Sequence, residues 1–103
     1  MNINAIADNL GLEVEDIKEL LDLYVKTTSA ELKELKAALA SNNAEKVHKN
    51  SHSIKGSSGN LGLTDLFELA RKIDDRAREN ILDGIEPIVN EFSKTFEKLV
   101  HEI

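Results

Sequence analysis

One histidine in this chain has a lysine and a glycine on the turn that follows it. His52 precedes Lys55 by three positions and Gly56 by four, and His48 lies four positions upstream. At about 100° per residue these positions share one face of a helix, which Gly59 at i+7 extends. Neutral imidazole is a competent nucleophile near pH 7, and a nearby ammonium group can neutralise an anionic group that it receives. The spacing therefore predicts an accessible nucleophile with a charge-stabilising neighbour.

The segment around this histidine is poor in helix-forming residues. Gly56 and Gly59 each cost about 0.5–1 kcal/mol relative to alanine inside a helix, so their presence needs another reason. Either the backbone packs closely against a neighbouring helix or it is exposed to something that docks. Because side chains on a helix lean towards its N-terminus, a large residue at position 56 would cover the ring of His52. We therefore predict that Gly56 clears the approach to His52, and that Gly59 and His48 line a docking face.

The segment also carries a family motif. His52-x-x-Lys55-Gly56, followed by Ser57-Ser58-Gly59-Asn60-Leu61-Gly62, resembles the motif of histidine-containing phosphotransfer (HPt) domains. The resemblance implies that His52 is phosphorylated on Nε2, that Lys55 steadies the phosphoryl group and that Gly56 keeps the space open. It implies response-regulator receiver domains or a hybrid histidine kinase as partners. Since the receiver's aspartate and bound Mg²⁺ supply most of the chemistry, the chain itself is expected to need no cofactor.

One position departs from the family pattern. Many members carry a glutamine on the facing helix, close to the phosphoryl group, and the matching residue here is Asp74. A carboxylate would repel a phosphoryl group, so we expect Asp74 either to point away or to leave that role absent. No function is assigned to Asp74 from the sequence.

Other functions were weighed against phosphotransfer. His48 and His52 at i, i+4 could share a metal ion, but no third ligand lies nearby in sequence, so no metal site is predicted. The glycine run lacks a preceding strand and Walker spacing, and no segment could build an ATP site, so the chain is not expected to be a kinase. A helical interaction module that docks a receiver domain without being phosphorylated stays open as the alternative function.

The apolar residues that must position these groups recur in steps of three and four almost throughout. This spacing predicts a lead-in helix over 2–9, ended by Gly11, and a second helix from about 13 to 41. A third helix is predicted over about 44–61, a fourth begins at 64, and a fifth follows the break at 80–87. Asn42 with Glu45 three residues later predicts a capping box, and Leu20 and Phe67 are expected in the core. Four amphipathic helices with short connections predict an all-α fold, an antiparallel four-helix bundle with a short N-terminal lead-in helix, as one domain over 1–103.

Composition limits the partners and the compartment. The 103 residues carry a formal net charge of −6, and the scattered lysines and arginines argue against nucleic acid as a partner. No apolar run approaches the ~20 residues that a membrane span needs, and cysteine is absent. We expect a cytoplasmic monomer that does not bind a membrane, and Met1 with a complete set of helices favours a free-standing protein.

Overall fold

Helices make up most of the chain in the computed structural model, which describes residues 2–103. They are α1 (Ile3–Leu10), α2 (Val14–Ala40), α3 (Ala44–Asn60), α4 (Thr64–Arg78) and α5 (Ile85–Glu102). The described part of the chain contains no strand, so the predicted all-α class is confirmed. Met1, the first residue of the predicted domain, lies outside the described residues. No helix within 2–103 combines the length and the apolar character that crossing a membrane requires.

The longest helix sets the dimensions of the molecule. The 27 residues of α2 rise about 40 Å at 1.5 Å per residue, and the longest extent of the molecule is 41 Å. Helix α2 packs against α1, α3 and α5, while α3 packs against α4 and α4 against α5. Helices α2 to α5 therefore contact one another in a closed ring, with α1 added at the side of α2.

The helix ends show where local prediction succeeded and where it failed. Gly11 adopts a left-handed conformation with φ 67° and ends α1, as predicted. The N-cap of α3 is Asn43, whose side chain accepts a hydrogen bond from the backbone N–H of Lys46 at 3.1 Å. Asn42 instead takes a positive φ of 56° at the end of α2. The predicted capping box between Asn42 and Glu45 is therefore wrong by one residue.

The core lies between α2, α3, α4 and α5 and follows most of the predicted stripes, although Val100 and Ile103 at the end of the α5 stripe are exposed. Leu20 is 38% exposed, and Phe67 is only partly buried. The largest fully buried side chains include Phe92, Ile17, Leu21, Leu35, Ile54 and Ile73. Helical periodicity identifies the buried stripe, but it does not fix how far the edge of that stripe extends.

Small residues on α3 bring its neighbours close. A Cβ at Gly59 would lie 3.0 Å from Cδ1 of Phe67, so the α4 ring occupies the space that a side chain would need. On the buried side, the hydroxyls of Tyr24 and Ser58 are hydrogen-bonded at 2.7 Å, which links α2 to α3. The close approach of α4 brings its side chains within reach of the histidine face of α3.

Candidate functional site

His52 lies in the middle of α3 with its side chain 63% exposed. A Cβ added at Gly56, one turn further on, would meet nothing within 4 Å. His48 lies one turn earlier with its side chain 36% exposed, and the two imidazole centroids are 5.8 Å apart. A partner can therefore approach the ring of His52 over the open surface at Gly56.

Behind the two histidines lies a fully buried carboxylate from α4. Oδ2 of Asp74 accepts hydrogen bonds from Nζ of Lys55 and from the guanidinium of Arg78, both at 2.9 Å. The same oxygen lies 3.5 Å from Nδ1 of His52, and Oδ1 lies 3.0 Å from Nε2 of His48. Asp74 thus does not point away from the histidine face; it joins four basic side chains from two helices.

The surrounding cations decide the charge of this carboxylate. Burial acts to raise the pKa of Asp74, but the hydrogen bond and charge of Lys55, together with His52 and Arg78, outweigh that effect and lower the pKa. Asp74 is therefore ionised at neutral pH. Although His48 is close, Oδ1 is buried and accepts no hydrogen bond of good geometry.

The position of the carboxylate affects the chemistry of His52. Nδ1 is the ring nitrogen nearest to Asp74, so a carboxylate there favours the tautomer that carries its proton on Nδ1. In that tautomer Nε2 holds the free lone pair. The arrangement can therefore present Nε2 as a nucleophile while a buried negative charge stabilises positive charge on the ring.

Lys55 and Gly59 lie in surroundings that the sequence did not predict. The side chain of Lys55 is 21% exposed and is paired with Asp74 instead of projecting freely into solvent. Contact with Phe67 is a sufficient reason for glycine at 59, so the part of Gly59 in docking stays a prediction. His48 lies beside His52 and contacts Asp74, and its part in docking stays a prediction.

Sequence reasoning missed the importance of Asp74 and Arg78. A signal was present, because Asp74 shares the inner face of α4 with Ala70, Ile73 and Ala77, where a carboxylate is costly unless it is paired. Arg78 at i+4 is one such partner. The identity of the other partners depends on the packing of α3 against α4, which no local pattern encodes.

An apolar surface lies beside the histidine face. Its lining includes Leu10, Leu12, Leu20, Leu23 and Leu61, and we call this surface the leucine groove. It encloses about 490 Å³ and extends to Ser57, the residue after Gly56. Leu23 is 61% exposed, and Leu10, Leu12 and Leu20 beside it are also exposed, so the groove is a contiguous apolar patch of the kind that marks interaction sites.

The helical bundle thus presents an exposed histidine with a buried carboxylate behind it, which is an accessible nucleophile with a fixed charge on one side. The family model of the Hpt domain matches residues 19–102, which include α3, α4, α5 and most of α2. The chain therefore belongs to the Hpt domain family. Hpt domains are phosphoryl carriers of phosphorelays and not kinases. Searches of curated proteins and of solved structures find no match to the chain.

Proposed function

We propose that this chain is the histidine phosphotransfer protein of a two-component phosphorelay. It accepts a phosphoryl group on His52 from the aspartyl phosphate of one receiver domain and passes it to the aspartate of another. The observation that carries the proposal is the pairing of an exposed imidazole with a buried carboxylate 3.5 Å from its Nδ1. The open space at Gly56 supports it, because the donor must bring its own acidic site over the ring.

The transfer step follows from the position of Asp74. With its proton on Nδ1, His52 attacks phosphorus through the Nε2 lone pair; the N–P bond forms as the P–O bond to the donor aspartate breaks. The donor regains its carboxylate, and the ring takes up positive charge that Asp74 neutralises from the Nδ1 side. The reverse sequence of bonds passes the group to the acceptor. Mg²⁺ on the receiver domain would neutralise the phosphoryl oxygens during transfer.

Lys55 can serve the phosphoryl group either with the N–H donors that Asp74 does not use or by turning away from Asp74. Its Nζ lies 2.9 Å from Oδ2, and that oxygen also accepts a hydrogen bond from Arg78. When Lys55 turns to the phosphoryl oxygens, Arg78 remains and the buried carboxylate keeps a cationic partner. This avoids an unpaired buried charge, which would be strongly destabilising.

The leucine groove is the proposed contact for the body of the receiver domain. It lies next to Gly56 and exposes apolar side chains that the bundle leaves uncovered. A partner that covers the groove would hold its aspartate above His52. We also propose that α2 to α5 alternate in direction as an antiparallel four-helix bundle in one domain over 1–103, and that the chain acts as a cytoplasmic monomer.

The test is incubation with phosphorylated receiver domains, followed by measurement of phosphate on this chain. We expect acid-labile, base-stable phosphate, which is the behaviour of phosphohistidine, in the wild type and none in His52→Gln. Circular dichroism of His52→Gln should match the wild type. Binding of receivers without any labelled phosphate would instead support the interaction module that docks a receiver without phosphorylation.

A further inference from the structure

One buried atom of the site has no role in phosphotransfer. Oδ1 of Asp74 is buried and has no hydrogen-bond donor of good geometry, whereas Oδ2 accepts hydrogen bonds from Lys55 and Arg78. A buried carboxylate oxygen without a partner is costly and is uncommon in folded proteins. Nε2 of His48 lies 3.0 Å from this oxygen.

This oxygen is part of a set of three groups that bind metal ions. One ligand atom from each of His48, His52 and Asp74 can be chosen so that all three lie within 4.8 Å of one another. Tetrahedral zinc at about 2.0–2.2 Å from each ligand needs ligand atoms roughly 3.3 Å apart. The two nearest nitrogen–oxygen contacts go to different oxygens of the carboxylate, from Nε2 of His48 to Oδ1 at 3.0 Å and from Nδ1 of His52 to Oδ2 at 3.5 Å. The ligand atoms, at most 4.8 Å apart, would therefore close onto one ion after rotation of the exposed ring of His52 towards Oδ1.

The third ligand comes from the facing helix. The sequence predicts no third ligand beside His48 and His52, but the packing of α4 against α3 brings Asp74 beside both. Two imidazoles and a carboxylate suit zinc and similar transition metals, whereas Mg²⁺ and Ca²⁺ prefer oxygen ligands throughout. Since the ring of His52 is exposed, solvent can supply the fourth ligand.

Two cationic side chains oppose the binding of a metal ion at this site. Lys55 and Arg78 both contact Asp74, and their charge repels a dication. They contact Oδ2, however, so the lone pairs of Oδ1 stay available to an ion. This repulsion lowers the affinity of the site for a metal ion but leaves Oδ1 accessible to it. We therefore expect reversible binding that is weaker than at a structural zinc site.

We propose that His48, His52 and Asp74 form a site for a zinc-class ion, and that occupancy of this site prevents phosphorylation of His52. The ion would bind His52 through Nδ1, the nitrogen that faces Asp74. A neutral imidazole that gives its Nδ1 lone pair to a metal carries its proton on Nε2. The nitrogen that must attack phosphorus then has no free lone pair. Metal binding and phosphoryl acceptance thus require opposite tautomers of one ring.

Binding is tested by calorimetry of the full chain with ZnCl₂ at neutral pH, which requires no phosphotransfer. We expect one ion per chain in the wild type and in His101→Gln, which removes the third histidine of the chain on α5. His48→Gln should bind at least roughly tenfold more weakly, a loss that even an outer-shell change can produce. MgCl₂ should show no binding. No zinc binding by the wild type, or equal binding by a folded His48→Gln, would overturn the site.

The predicted inhibition of phosphotransfer by zinc rests on the proposed function, and it is measured in an experiment separate from the calorimetry. Phosphorylation by a receiver is measured with and without ZnCl₂ for the wild type and for His48→Gln, so that any effect of zinc on the donor is common to both. The wild type should be inhibited by zinc more strongly than the variant. Equal inhibition of the wild type and His48→Gln by zinc would overturn the mutual exclusion of metal binding and phosphorylation. The existence of the metal site itself would still be decided by the calorimetry. An absence of phosphorylation without zinc would instead count against the proposed function alone.

Discussion

At the scale of single residues, the site is organised around Asp74, a side chain to which the sequence assigned no role. It lies on the Nδ1 side of His52, which separates it from the nitrogen that is proposed to carry the phosphoryl group. This position resolves the objection that a carboxylate would repel a phosphoryl group, because the ring stands between the two. The same carboxylate favours the Nδ1–H tautomer of His52 and pairs with Lys55.

Replacing Asp74 by asparagine tests this positioning role. Asp74→Asn keeps the shape but removes the charge that favours the Nδ1–H tautomer, so transfer to His52 should slow by roughly tenfold or more. Nitrogen NMR of the imidazole should show a larger population with the proton on Nε2. Unfolding by denaturant would report any loss of stability separately. A slow variant with an unchanged tautomer balance would assign Asp74 a structural role only.

Lys55 is predicted to act on the transferring group despite its ion pair. Lys55→Ala should slow transfer by roughly tenfold to a hundredfold, which is about 1.4–2.7 kcal/mol in the barrier. Lys55→Arg should recover part of the rate, because the charge survives but the compact geometry does not. The measurement is the transfer rate from one phosphorylated receiver to each variant. An unchanged rate in Lys55→Ala would leave the lysine as a partner of Asp74 and nothing more.

At the scale of elements, the two helical glycines of α3 have different surroundings and should respond differently. At Gly56 a Cβ meets nothing within 4 Å, so Gly56→Ala should keep or raise stability by up to about 1 kcal/mol. At Gly59 a Cβ meets the ring of Phe67 at 3.0 Å, and overpacking there costs about 1–3 kcal/mol unless the ring moves. Thermal melts should therefore find Gly59→Ala less stable than Gly56→Ala.

Size at position 56 tests access. Gly56→Gln should fold like Gly56→Ala but transfer far more slowly, because its side chain leans over the imidazole of His52. The alanine variant is the matched control, since both lose the glycine and only one adds bulk. Normal transfer by a stable Gly56→Gln would contradict the idea that the glycine keeps the approach open.

The helices themselves were predictable, whereas their contacts were not. The boundaries of α1 to α5 follow from local signals such as apolar spacing, Gly11 and the 80–87 break, and they agree with the structure to within a few residues. The exposure of Leu20 and the surroundings of Asp74 depend on how each helix is rotated about its axis. That rotation is set by packing between helices, for example by the fit of Phe67 against Gly59. The N-cap of α3 is Asn43, one residue after Asn42, on which the predicted capping box was placed. Local sequence signals can therefore misplace a helix cap by one residue.

At the scale of the whole molecule, one buried hydrogen bond provides a measure of the intact fold. Tyr24 is the single tyrosine of the chain, and its hydroxyl is bonded to Ser58 between α2 and α3. Burial raises its pKa above the ordinary value of 10.0, although the hydrogen bond to Ser58 acts in the opposite direction. The folded state thus holds this proton more tightly than the unfolded chain does.

The pH dependence of stability follows from that shift. The stabilisation is fully present below pH 10 and is lost as the pH rises through the raised pKa of the folded state, where a buried tyrosinate must form or the chain must unfold. Unfolding free energy should therefore fall more steeply above pH 10 in the wild type than in Tyr24→Phe, which lacks only the tyrosine hydroxyl. Tyrosinate absorbance should rise together with the loss of helical signal. Ionisation at the ordinary pKa without unfolding would contradict the burial of Tyr24.

The central claim is that His52 alone carries the phosphoryl group, and the most direct measurement is labelling of the three single histidine variants. Each is incubated with the same phosphorylated receiver, and the phosphate on the chain is mapped by mass spectrometry under basic conditions. The account predicts no label on His52→Gln, with its helical signal intact, and label at position 52 in both His48→Gln and His101→Gln. Label on His48, or undiminished label on a folded His52→Gln, would contradict it.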